Sequence, residues 1–413
     1  MAVVQYKNSL VVIGMGHDGP EGLAPEARAQ IAQAEVLAGG KRHLAFFPDW
    51  TGETVVFGAQ PDRAVQQLKA IYLQKKTVVL ASGDPLFYGI GRLLAEQLPA
   101  DALYFLPHVS SVQLAFARLK TSWHDAHIVS LHGRPMQALL PALHQRADKV
   151  ALFTDSVNHP AAVAQWLIDH YAENYAIWVC EELGGPNERI THWTTPHTIL
   201  DQTFSLLNVT ILLRDPSEPV PDPLPLLGVP ETAIAHRAGM ITKREMRLIA
   251  LGYLALYPGN VFWDIGAGSG SVALEAARLD AALQVFAIER SDLALAQIID
   301  NIRAFGLPNI RPILGEAPEI LADLPDPNAV FIGGSGGRLD ALIPVVVQRL
   351  QPGGRIVMNC ITLEHFQLGW ERLKQHGLQV DVTSVQLSHA QPIGTLHRFA
   401  SDSPLFVLQA YKP

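Results

Sequence analysis

Hydrophobic residues in the second half of the chain fall into short runs separated by longer amphipathic stretches. The runs have the length of buried strands, and the stretches carry apolar residues at helical spacing. This alternation predicts a doubly wound parallel sheet. The predicted strands are Val261–Ile265, Val285–Ile288, Ala329–Ile332 and Arg355–Asn359, the predicted helices are Ser271–Leu279, Asp292–Phe305 and Arg338–Leu350, and an antiparallel edge is expected from Val380–Leu387 and Leu405–Leu408.

The first half of the chain alternates in the same way. It is large for one compact α/β unit, so we expect two smaller α/β lobes with a cleft between them. The predicted strands are Leu10–Gly14, Val36–Ala38, Thr77–Ala81, Ala102–Phe105, His127–Leu131, Val150–Phe153, Ala176–Cys180 and Leu206–Leu213, with helices at Pro25–Ala34, Arg63–Leu73, Gly89–Gln97 and Pro160–Asp169.

A proline-rich segment separates the two halves. Its six prolines, Pro216, Pro219, Pro221, Pro223, Pro225 and Pro230, disfavour helix and central strand and favour an extended spacer. A chain of 413 residues is also too long for one ordinary domain. We therefore expect a domain at 1–214, a linker at 215–230 and a second domain at 231–413.

Composition narrows the class of protein. The chain is 48% hydrophobic and 17% charged, which is typical of well-buried α/β domains. Its net charge of −8 argues against a nucleic-acid substrate. Cys180 and Cys360 have no metal-binding spacing, so no metal site is expected, and neither a signal peptide nor a membrane span is visible. We expect a cytoplasmic homo-oligomer that acts on a small molecule.

The stretch VFWDIGAGSG, Val261–Gly270, is the most informative motif of the second half. It predicts a strand that runs into a glycine-rich turn, with Gly266, Gly268 and Gly270 where the backbone must approach a ligand. The helix that follows offers free N–H groups at its N-terminus. Glu289 ends the next apolar run and can accept both hydroxyls of a ribose. The pattern predicts a nucleoside-cofactor site at the carboxyl edge of the sheet.

The spacing of the glycines selects the cofactor. A dinucleotide fingerprint would require glycine at position 271, where this chain has Ser271. The pattern D-x-G-x-G-x-G from Asp264 resembles that of S-adenosylmethionine (SAM) methyltransferases, in which Gly315-Glu316-Ala317 would lie at the adenine. Thr242 has Glu245 three residues later, which is also the spacing of a helix-capping box, so capping and cofactor contact both stay open.

Three turns of the first half each follow a predicted strand. They contain Gly14–Gly19, Ser82-Gly83-Asp84-Pro85 and Ser110-Ser111, the last of which opens a helix. Open α/β sheets bind ligands at the carboxyl ends of their strands. The three turns are therefore expected to surround one site for a small polar ligand.

Longer stretches carry a resemblance to two enzyme families. VVLASGDPLFYGIGRLL, PHVSSVQLAFARL, IVSLHGR and CEELGGPNERI, within residues 10–214, resemble the tetrapyrrole methylase family, including its members that methylate carbon 5 of a precorrin ring. HRAGMITKREMR, FWDIGAGSGSVALEAA and VFIGGSGG, within residues 236–362, resemble the decarboxylating carbon-15 methyltransferases. One departure is His17-Asp18-Gly19, which stands where the first family has Pro-Gly-Asp.

The resemblance implies a two-lobed tetrapyrrole methylase fold followed by a Rossmann-like class I SAM-dependent methyltransferase fold. It implies methylation of carbons 5 and 15 of a precorrin-6 ring and decarboxylation of its ring C acetate to give precorrin-8, in cobalamin biosynthesis. SAM would bind at two sites per chain. The implied contacts are Gly83, Asp84, Ser110 and Ser111 in the first domain and Thr242, Gly266, Gly268, Gly270, Glu289 and Ala317 in the second.

The chemistry requires no protein nucleophile, because an enamine-like meso carbon can attack the methyl group directly. The catalytic residues therefore stay unassigned. Candidates to bind substrate carboxylates are Arg237, Lys243, Arg244 and Ser335, together with the backbone amides of Gly333–Gly337. A solvated helix start is an equally good interpretation of the three cations. An RNA or protein methyltransferase with an added domain is the alternative function, and a non-catalytic binding protein is a third.

Overall fold

The apolar runs of both halves form the central strands of three sheets. The computed structural model describes residues 10–58, 60–217, 224–237 and 239–413. These residues form two compact units. The first contains the described residues of Met1–Pro135, Asp148–Ala164 and Tyr175–Arg214, and the second those of Met136–Ala147, Gln165–Asn174 and Asp215–Pro413.

The first sheet is entirely parallel, with strand order β3-β2-β4-β1-β5. β1 is buried along its whole length between β4 and β5, as expected for a sheet covered on both faces. The carboxyl ends of β1, β4 and β5 therefore lie side by side. The elements are β1 (Leu10–Met15), α1 (Pro25–Ala32), β2 (Val36–Gly40), α2 (Lys41–Leu44), β3 (Glu53–Phe57), α3 (Pro61–Ile71), β4 (Thr77–Ser82), α4 (Ile90–Gln97), β5 (Leu103–Leu106) and α5 (Ser111–Leu119).

The second sheet has the order β6-β7-β10-β8-β9, and only its β6–β7 pair is parallel. Two separate sheets thus correspond to the two predicted lobes. The sequence did not predict the edge strands β3 and β9, because both are short and largely exposed. The elements are β6 (His127–Ser130), α6 (Leu140–His144), β7 (Lys149–Phe153), α7 (Pro160–Asp169), β8 (Tyr175–Glu181), β9 (Arg189–Trp193) and β10 (Asn208–Arg214).

The third sheet has seven strands in the order β13-β12-β11-β14-β15-β19-β16. Its first five are parallel, and β19 pairs antiparallel with both β15 and β16, which confirms the predicted antiparallel edge. The elements are α8 (Arg244–Leu254), β11 (Val261–Ile265), α9 (Ser271–Leu279), β12 (Gln284–Glu289), α10 (Asp292–Phe305), β13 (Ile310–Leu314), β14 (Ala329–Ile332), α11 (Leu339–Arg349), β15 (Arg355–Cys360), α12 (Leu363–Gln375), β16 (Gln379–Val385) and β19 (Leu405–Tyr411).

Helices cover both faces of this sheet, as a doubly wound fold requires. One apolar core joins it to α8, α9 and α10, and a second joins it to α11 and α12. A hairpin of β17 (Ser388–Ile393) and β18 (Leu396–Ser401), which the sequence did not predict, stands apart as a two-stranded sheet. No helix among the residues described here has the length and apolar character needed to span a membrane.

The predicted linker is described only in part, because 218–223 lies outside the described residues. The part from 224 to 230 packs on α9. Arg278 donates to the carbonyl oxygens of Leu224, Pro225 and Leu226, and Val229 is fully buried. This end of the segment is therefore held on α9 by hydrogen bonds from the Arg278 side chain to its backbone carbonyl groups.

A buried ion pair fixes the same segment. Arg247 of α8 and Glu275 of α9 are both inaccessible to solvent, and their side chains approach to 3.1 Å. Glu275 also accepts the backbone N–H groups of Gly228 (3.2 Å) and Val229 (2.7 Å). Arg247 donates to the carbonyl oxygens of Val229 and Thr242. The two side chains thus satisfy four backbone groups between Gly228 and Thr242, a segment whose described residues form no long helix or strand.

We predict that Arg247→Met is strongly destabilising. The substitution leaves the Glu275 charge buried without its cation, which costs about 3–5 kcal/mol. Arg372→Met, which removes an ion pair with Asp340 exposed on the same unit, should cost no more than about 1 kcal/mol. Urea unfolding of the full chain measures both values. Equal losses for the two variants would contradict the importance given to the buried pair.

Candidate functional site

The loops after β1, β4 and β5 meet backbone to backbone. A Cβ at Gly14 would lie 1.8 Å from the Gly83 carbonyl oxygen and 2.7 Å from the His108 amide nitrogen, so neither approach tolerates a side chain. The Gly83 N–H donates to the Met15 carbonyl at 2.9 Å, and the His108 N–H donates to the Gly83 carbonyl at 3.2 Å. The three turns singled out in the sequence therefore lie around one point.

The polar side chains of these turns have local partners. Asp84 accepts the Leu86 N–H at 2.9 Å. Ser110 caps α5 in a capping box, since its hydroxyl accepts the Gln113 N–H and the Gln113 side chain accepts the Ser110 N–H. Ser111 is the first residue of α5. A Cβ at Gly83 would lie 3.1 Å from the Ser110 Cα, so the structure brings these two loops into direct contact.

A polar cluster beside this point was not predicted. Ser82 Oγ, at the end of β4, accepts a hydrogen bond from Arg42 at 2.9 Å and lies 3.0 Å from His43 Nε2. Burial, together with the charge of Arg42, lowers the pKa of His43 to about 4, so its imidazole is neutral at pH 7. A signal was available, because the charged stretch KRH follows β2, the neighbour of β4 in the sheet.

His17, the departure from the tetrapyrrole methylase pattern, has a definite partner. Its Nδ1 lies 3.2 Å from Glu182 Oε2, in the loop after β8. Glu182 also accepts a hydrogen bond from the Ser205 hydroxyl. His17 therefore links the first loop of the parallel sheet to a loop of the mixed sheet, both within the first unit.

In the second unit, the three glycines of the turn after β11 have different neighbours. A Cβ at Gly266 would lie 2.3 Å from the Gly334 carbonyl oxygen, and one at Gly270 would lie 3.1 Å from the Ile298 side chain. Gly268 has nothing within 4 Å of its Cβ position. All three have positive φ angles, of 69°, 57° and 74° in chain order, which glycine adopts most readily. Gly266 and Gly270 are needed for packing, and Gly268 faces open space.

Two carboxyl groups lie beside this turn. Glu289, at the end of β12, accepts the Gly268 N–H at 2.8 Å and the Ser291 N–H at 3.0 Å, and each oxygen keeps capacity for a further donor. Asp264 of β11 is fully buried and accepts the Ala273 N–H at 3.0 Å, while its Oδ1 has no partner. Burial, together with the charge of Glu289, raises the pKa of Asp264 to about 7, although the hydrogen bond from the Ala273 N–H opposes the rise.

The structure corrects the interpretation of Thr242 as a helix cap. Helix α8 begins at Arg244, and the residue at its N-cap is Lys243, whose side chain makes no capping bond. Thr242 lies before the helix, where its carbonyl accepts from Arg247. The Thr242 hydroxyl does not cap the helix because the helix begins one residue later than the motif suggested. Ala317, half-buried, lies in the loop after β13.

The candidate carboxylate contacts have mixed surroundings. Arg237 and Lys243 are exposed, whereas Arg244 lies 3.4 Å from Glu245. The amides of Gly333 and Gly334 donate to the Ile265 carbonyl, so they are not available to a substrate carboxylate, contrary to expectation. Ser335 is half-buried, and its carbonyl accepts the Arg338 N–H.

Two further cations at this loop were missed by sequence reasoning. Arg290 directly follows Glu289 and lies against Gly336. A Cβ at Gly336 would lie 2.7 Å from the Arg290 Nη1. Both Arg290 and Arg338 approach Glu316, at 3.4 and 3.7 Å. The loops after β12, β13 and β14 are thus connected by charged side chains at the carboxyl edge of the sheet.

Comparison with known proteins identifies the family. Residues 9–198 match the family described as Tetrapyrrole (Corrin/Porphyrin) Methylases, and residues 233–412 match the Precorrin methyltransferase domain. A precorrin-6Y C(5,15)-methyltransferase [decarboxylating] from Sinorhizobium sp is 36% identical, over 93% of this chain and 92% of its own length. The chain belongs to this family. It is a methyltransferase, as the glycine spacing predicted, and the RNA or protein methyltransferase alternative is not supported.

Two shorter relatives are similar to parts of the chain. A cobalt-precorrin-6B C(15)-methyltransferase (decarboxylating) from Salmonella typhimurium is 40% identical over 42% of this chain and 89% of its own length. A cobalt-precorrin-7 C(5)-methyltransferase from the same organism is 36% identical over 49% of this chain and 98% of its own. In that organism the two activities belong to separate proteins.

The residues at the second turn fit SAM as the methyl donor. Gly268 leaves room for a ligand, Glu289 can accept hydrogen bonds from hydroxyl groups, and the unpaired Asp264 oxygen is a buried acceptor in β11. The thiols supply no alternative nucleophile, because burial raises the pKa of Cys180 to about 12 and that of Cys360 to about 11. The protein groups here bind and orient, and the electrophilic methyl group comes from SAM.

We predict that the free energy of unfolding of Asp264→Asn, relative to that of the unaltered protein, increases as pH rises. The folded pKa of Asp264 is raised from 3.8 to about 7, so its contribution is present below pH 3.8 and is lost as pH rises through about 7. Asparagine does not titrate, so any change in packing adds only a constant offset. The measurement is the free energy of unfolding of both proteins between pH 4 and 8.

Asp155→Asn is the matched control. Backbone N–H groups of Gly133 and Asn158 lower the pKa of Asp155, so its stabilising contribution is lost as pH falls. The control should therefore show a nearly constant difference between pH 4 and 8, because its contribution is lost only below the unfolded pKa of 3.8. A difference between Asp264→Asn and the unaltered chain that stays constant over this range would show that Asp264 is ionised in the folded protein.

Proposed function

We propose that this chain methylates carbons 5 and 15 of a precorrin-6 ring and decarboxylates its ring C acetate to give precorrin-8. The main support is the relative that matches over 93% of the chain and carries both activities in its name. In each methylation a ring carbon forms a bond to the methyl carbon as the carbon–sulfur bond breaks, and that carbon then loses its proton. In the decarboxylation the carbon–carbon bond to the carboxylate breaks, CO2 leaves, the electron pair passes into the conjugated ring, and the side-chain carbon then gains a proton to become a methyl group.

We assign these activities to two domains with a linker between them. Residues 1–214 would methylate carbon 5, residues 231–413 would methylate carbon 15 and release CO2, and residues 215–230 would connect them. The support is the separate match of each half to a different methyltransferase family. SAM would then bind twice per chain, once at each set of loops.

The contacts with SAM follow the geometry of the two turns. Gly83, Asp84, Ser110 and Ser111 would bind it in the first domain, mainly through backbone groups, because the Ser110 hydroxyl already caps α5. Thr242, Gly266, Gly268, Gly270, Glu289 and Ala317 would bind it in the second. Glu289 would accept the ribose hydroxyls while keeping the Gly268 N–H.

The substrate carboxylates need cations, which Arg237, Lys243 and Arg244 supply beside the second turn, together with the polar group of Ser335. The structure adds Arg290 and Arg338 to this set of candidates. A cation bound to the departing carboxylate would stabilise the ground state and oppose decarboxylation. These side chains are therefore better suited to the carboxylates that the product retains.

We predict that Glu289→Ala and Gly14→Ala impair different halves of the reaction when the SAM concentration lies below the weakened dissociation constant of Glu289→Ala. A charged hydrogen bond contributes about 1.5–3 kcal/mol, so Glu289→Ala should weaken SAM binding in the second domain by roughly ten- to a hundred-fold. Gly14→Ala should separate the loops of the first domain, because its Cβ would collide with the Gly83 carbonyl. The product mass should show one methyl gained without CO2 loss for the first variant, and one methyl gained with CO2 loss for the second.

Gly58→Ala is the control, since nothing lies within 4 Å of its Cβ position. It should give the full product and bind two SAM molecules per chain in a calorimetric titration. Each of the other variants should retain one of the two binding sites. Loss of CO2 release in Gly14→Ala, with SAM binding in the second domain intact, would show that the division of labour is wrong.

We also propose that the chain is a cytoplasmic homo-oligomer without a nucleic-acid partner. The support for self-association is the hairpin β17–β18, in which Leu396 is 71% and Phe399 81% exposed. A two-stranded hairpin is marginally stable alone, and its unpaired edges can join those of a second copy about a two-fold axis. The net charge of −8 supports the absence of nucleic acid.

We predict that Phe399→Asp lowers the molar mass measured by light scattering to that of a smaller assembly. The carboxylate would have to be desolvated at the interface between copies, which is unfavourable. Val157→Asp, at another exposed apolar residue, should leave the mass unchanged. An unaltered chain that is monomeric at micromolar concentration would contradict the proposal.

A further inference from the structure

A buried asparagine lies between the glycine-rich turn and the segment that carries a candidate substrate contact. Asn301 of α10 is 1% exposed. Its Nδ2 donates to the Ser269 carbonyl at 3.0 Å and to the Ala235 carbonyl at 2.9 Å, and its Oδ1 accepts the Ala235 N–H at 2.8 Å. Both donors of the amide and one acceptor position are thus used.

The two residues that Asn301 contacts lie in different parts of the proposed site. Ser269 lies between Gly268 and Gly270, in the turn proposed to bind SAM. Ala235 lies two residues before Arg237, a candidate carboxylate contact. One side chain therefore sets the distance between two backbone segments that belong to different parts of the site.

The rest of α10 supports the same arrangement. Ile298, one turn before Asn301, packs against the Cα of Gly270 so closely that a Cβ there would lie 3.1 Å away. The helix begins just after Glu289, whose carboxylate binds the Gly268 N–H. The glycine-rich turn is thus held by α10 at Gly270 and Ser269, and any shift of the turn must move Ala235 through Asn301.

We propose that Asn301 is a positioning residue that couples the binding of cofactor and tetrapyrrole in the second unit. This inference rests on the proposed function, since it assumes that Gly266–Gly270 binds SAM and that the segment at Arg237 binds the tetrapyrrole. An ordered turn fixes Ala235, and an ordered Ala235 fixes the turn. By thermodynamic linkage each ligand then increases the affinity for the other by the same factor.

The first experiment measures that factor. The affinity of the full chain for S-adenosylhomocysteine, the demethylated product of SAM, is determined by calorimetry with and without the precorrin substrate. We expect tighter binding with the substrate, by a factor in the range of roughly 5 to 150 that is usual for coupled sites. Asn301→Ala should remove most of the increase in affinity that the substrate causes, so that the ratio of the two affinities approaches one. A merely structural role would change both affinities and leave their ratio unchanged.

Asn309→Ala is the matched control. Asn309 is also a buried asparagine of this unit, and its Nδ2 donates to two backbone carbonyls, those of Ala277 and Asp280, both at 3.1 Å. Neither of these residues belongs to the candidate site. The control should lose stability comparably and keep the ratio. An equal fall of the ratio in both variants, or an unchanged ratio in Asn301→Ala, would overturn the proposal.

A second measurement needs no variant and remains informative if Asn301→Ala does not fold. The Ala235 N–H donates to the Asn301 side chain at 2.8 Å, so its hydrogen exchange reports on this contact. Addition of S-adenosylhomocysteine alone should slow exchange at Ala235. Unchanged exchange at saturating ligand would overturn the proposal. If the chain converts no tetrapyrrole but exchange at Ala235 still slows, the proposed function fails, while the link that Asn301 makes between the glycine-rich turn and Ala235 stands.

Discussion

The buried pair of Arg247 and Glu275 is the constraint on which the second unit depends. Removing two charges from water is costly, and their attraction compensates only when the remaining polar atoms are satisfied as well. Here the backbone of 228–242 supplies those partners, with two N–H groups to Glu275 and two carbonyls to Arg247. The same hydrogen bonds hold this segment against α8 and α9. Because α9 begins at the glycine-rich turn, the candidate substrate contacts of that segment are held at a defined place relative to the turn.

Both units build their sites by the same device, a backbone contact between loops at the carboxyl ends of neighbouring strands. In the first unit Gly14 meets Gly83, and in the second Gly266 meets Gly334. Each pair comes from adjacent strands, β1 with β4 and β11 with β14. A side chain at either contact would separate the loops. This steric requirement explains why glycine spacing, a feature of the sequence alone, indicated which loops would meet.

The sequence predicted elements best where burial is continuous. Helices Ser271–Leu279, Asp292–Phe305 and Pro160–Asp169 were predicted to the residue, because each has a clear apolar face and a turn at its start. The edge strands β3 and β9 and the hairpin β17–β18 were missed, since exposed strands carry no apolar run. The contacts of Asn301 could not be predicted, because they join residues distant in the sequence and depend on how α10 packs on the sheet.

The charges beside the second turn suit a cationic methyl donor whose positive charge disappears on transfer. A carboxylate close to the sulfonium stabilises the reactant more than the transition state, in which the charge is already spreading into the substrate, and so it would slow the reaction. The structure moderates this effect in two ways. Glu289 shares its charge with the Gly268 and Ser291 amides, and burial keeps Asp264 largely protonated below its pKa of about 7.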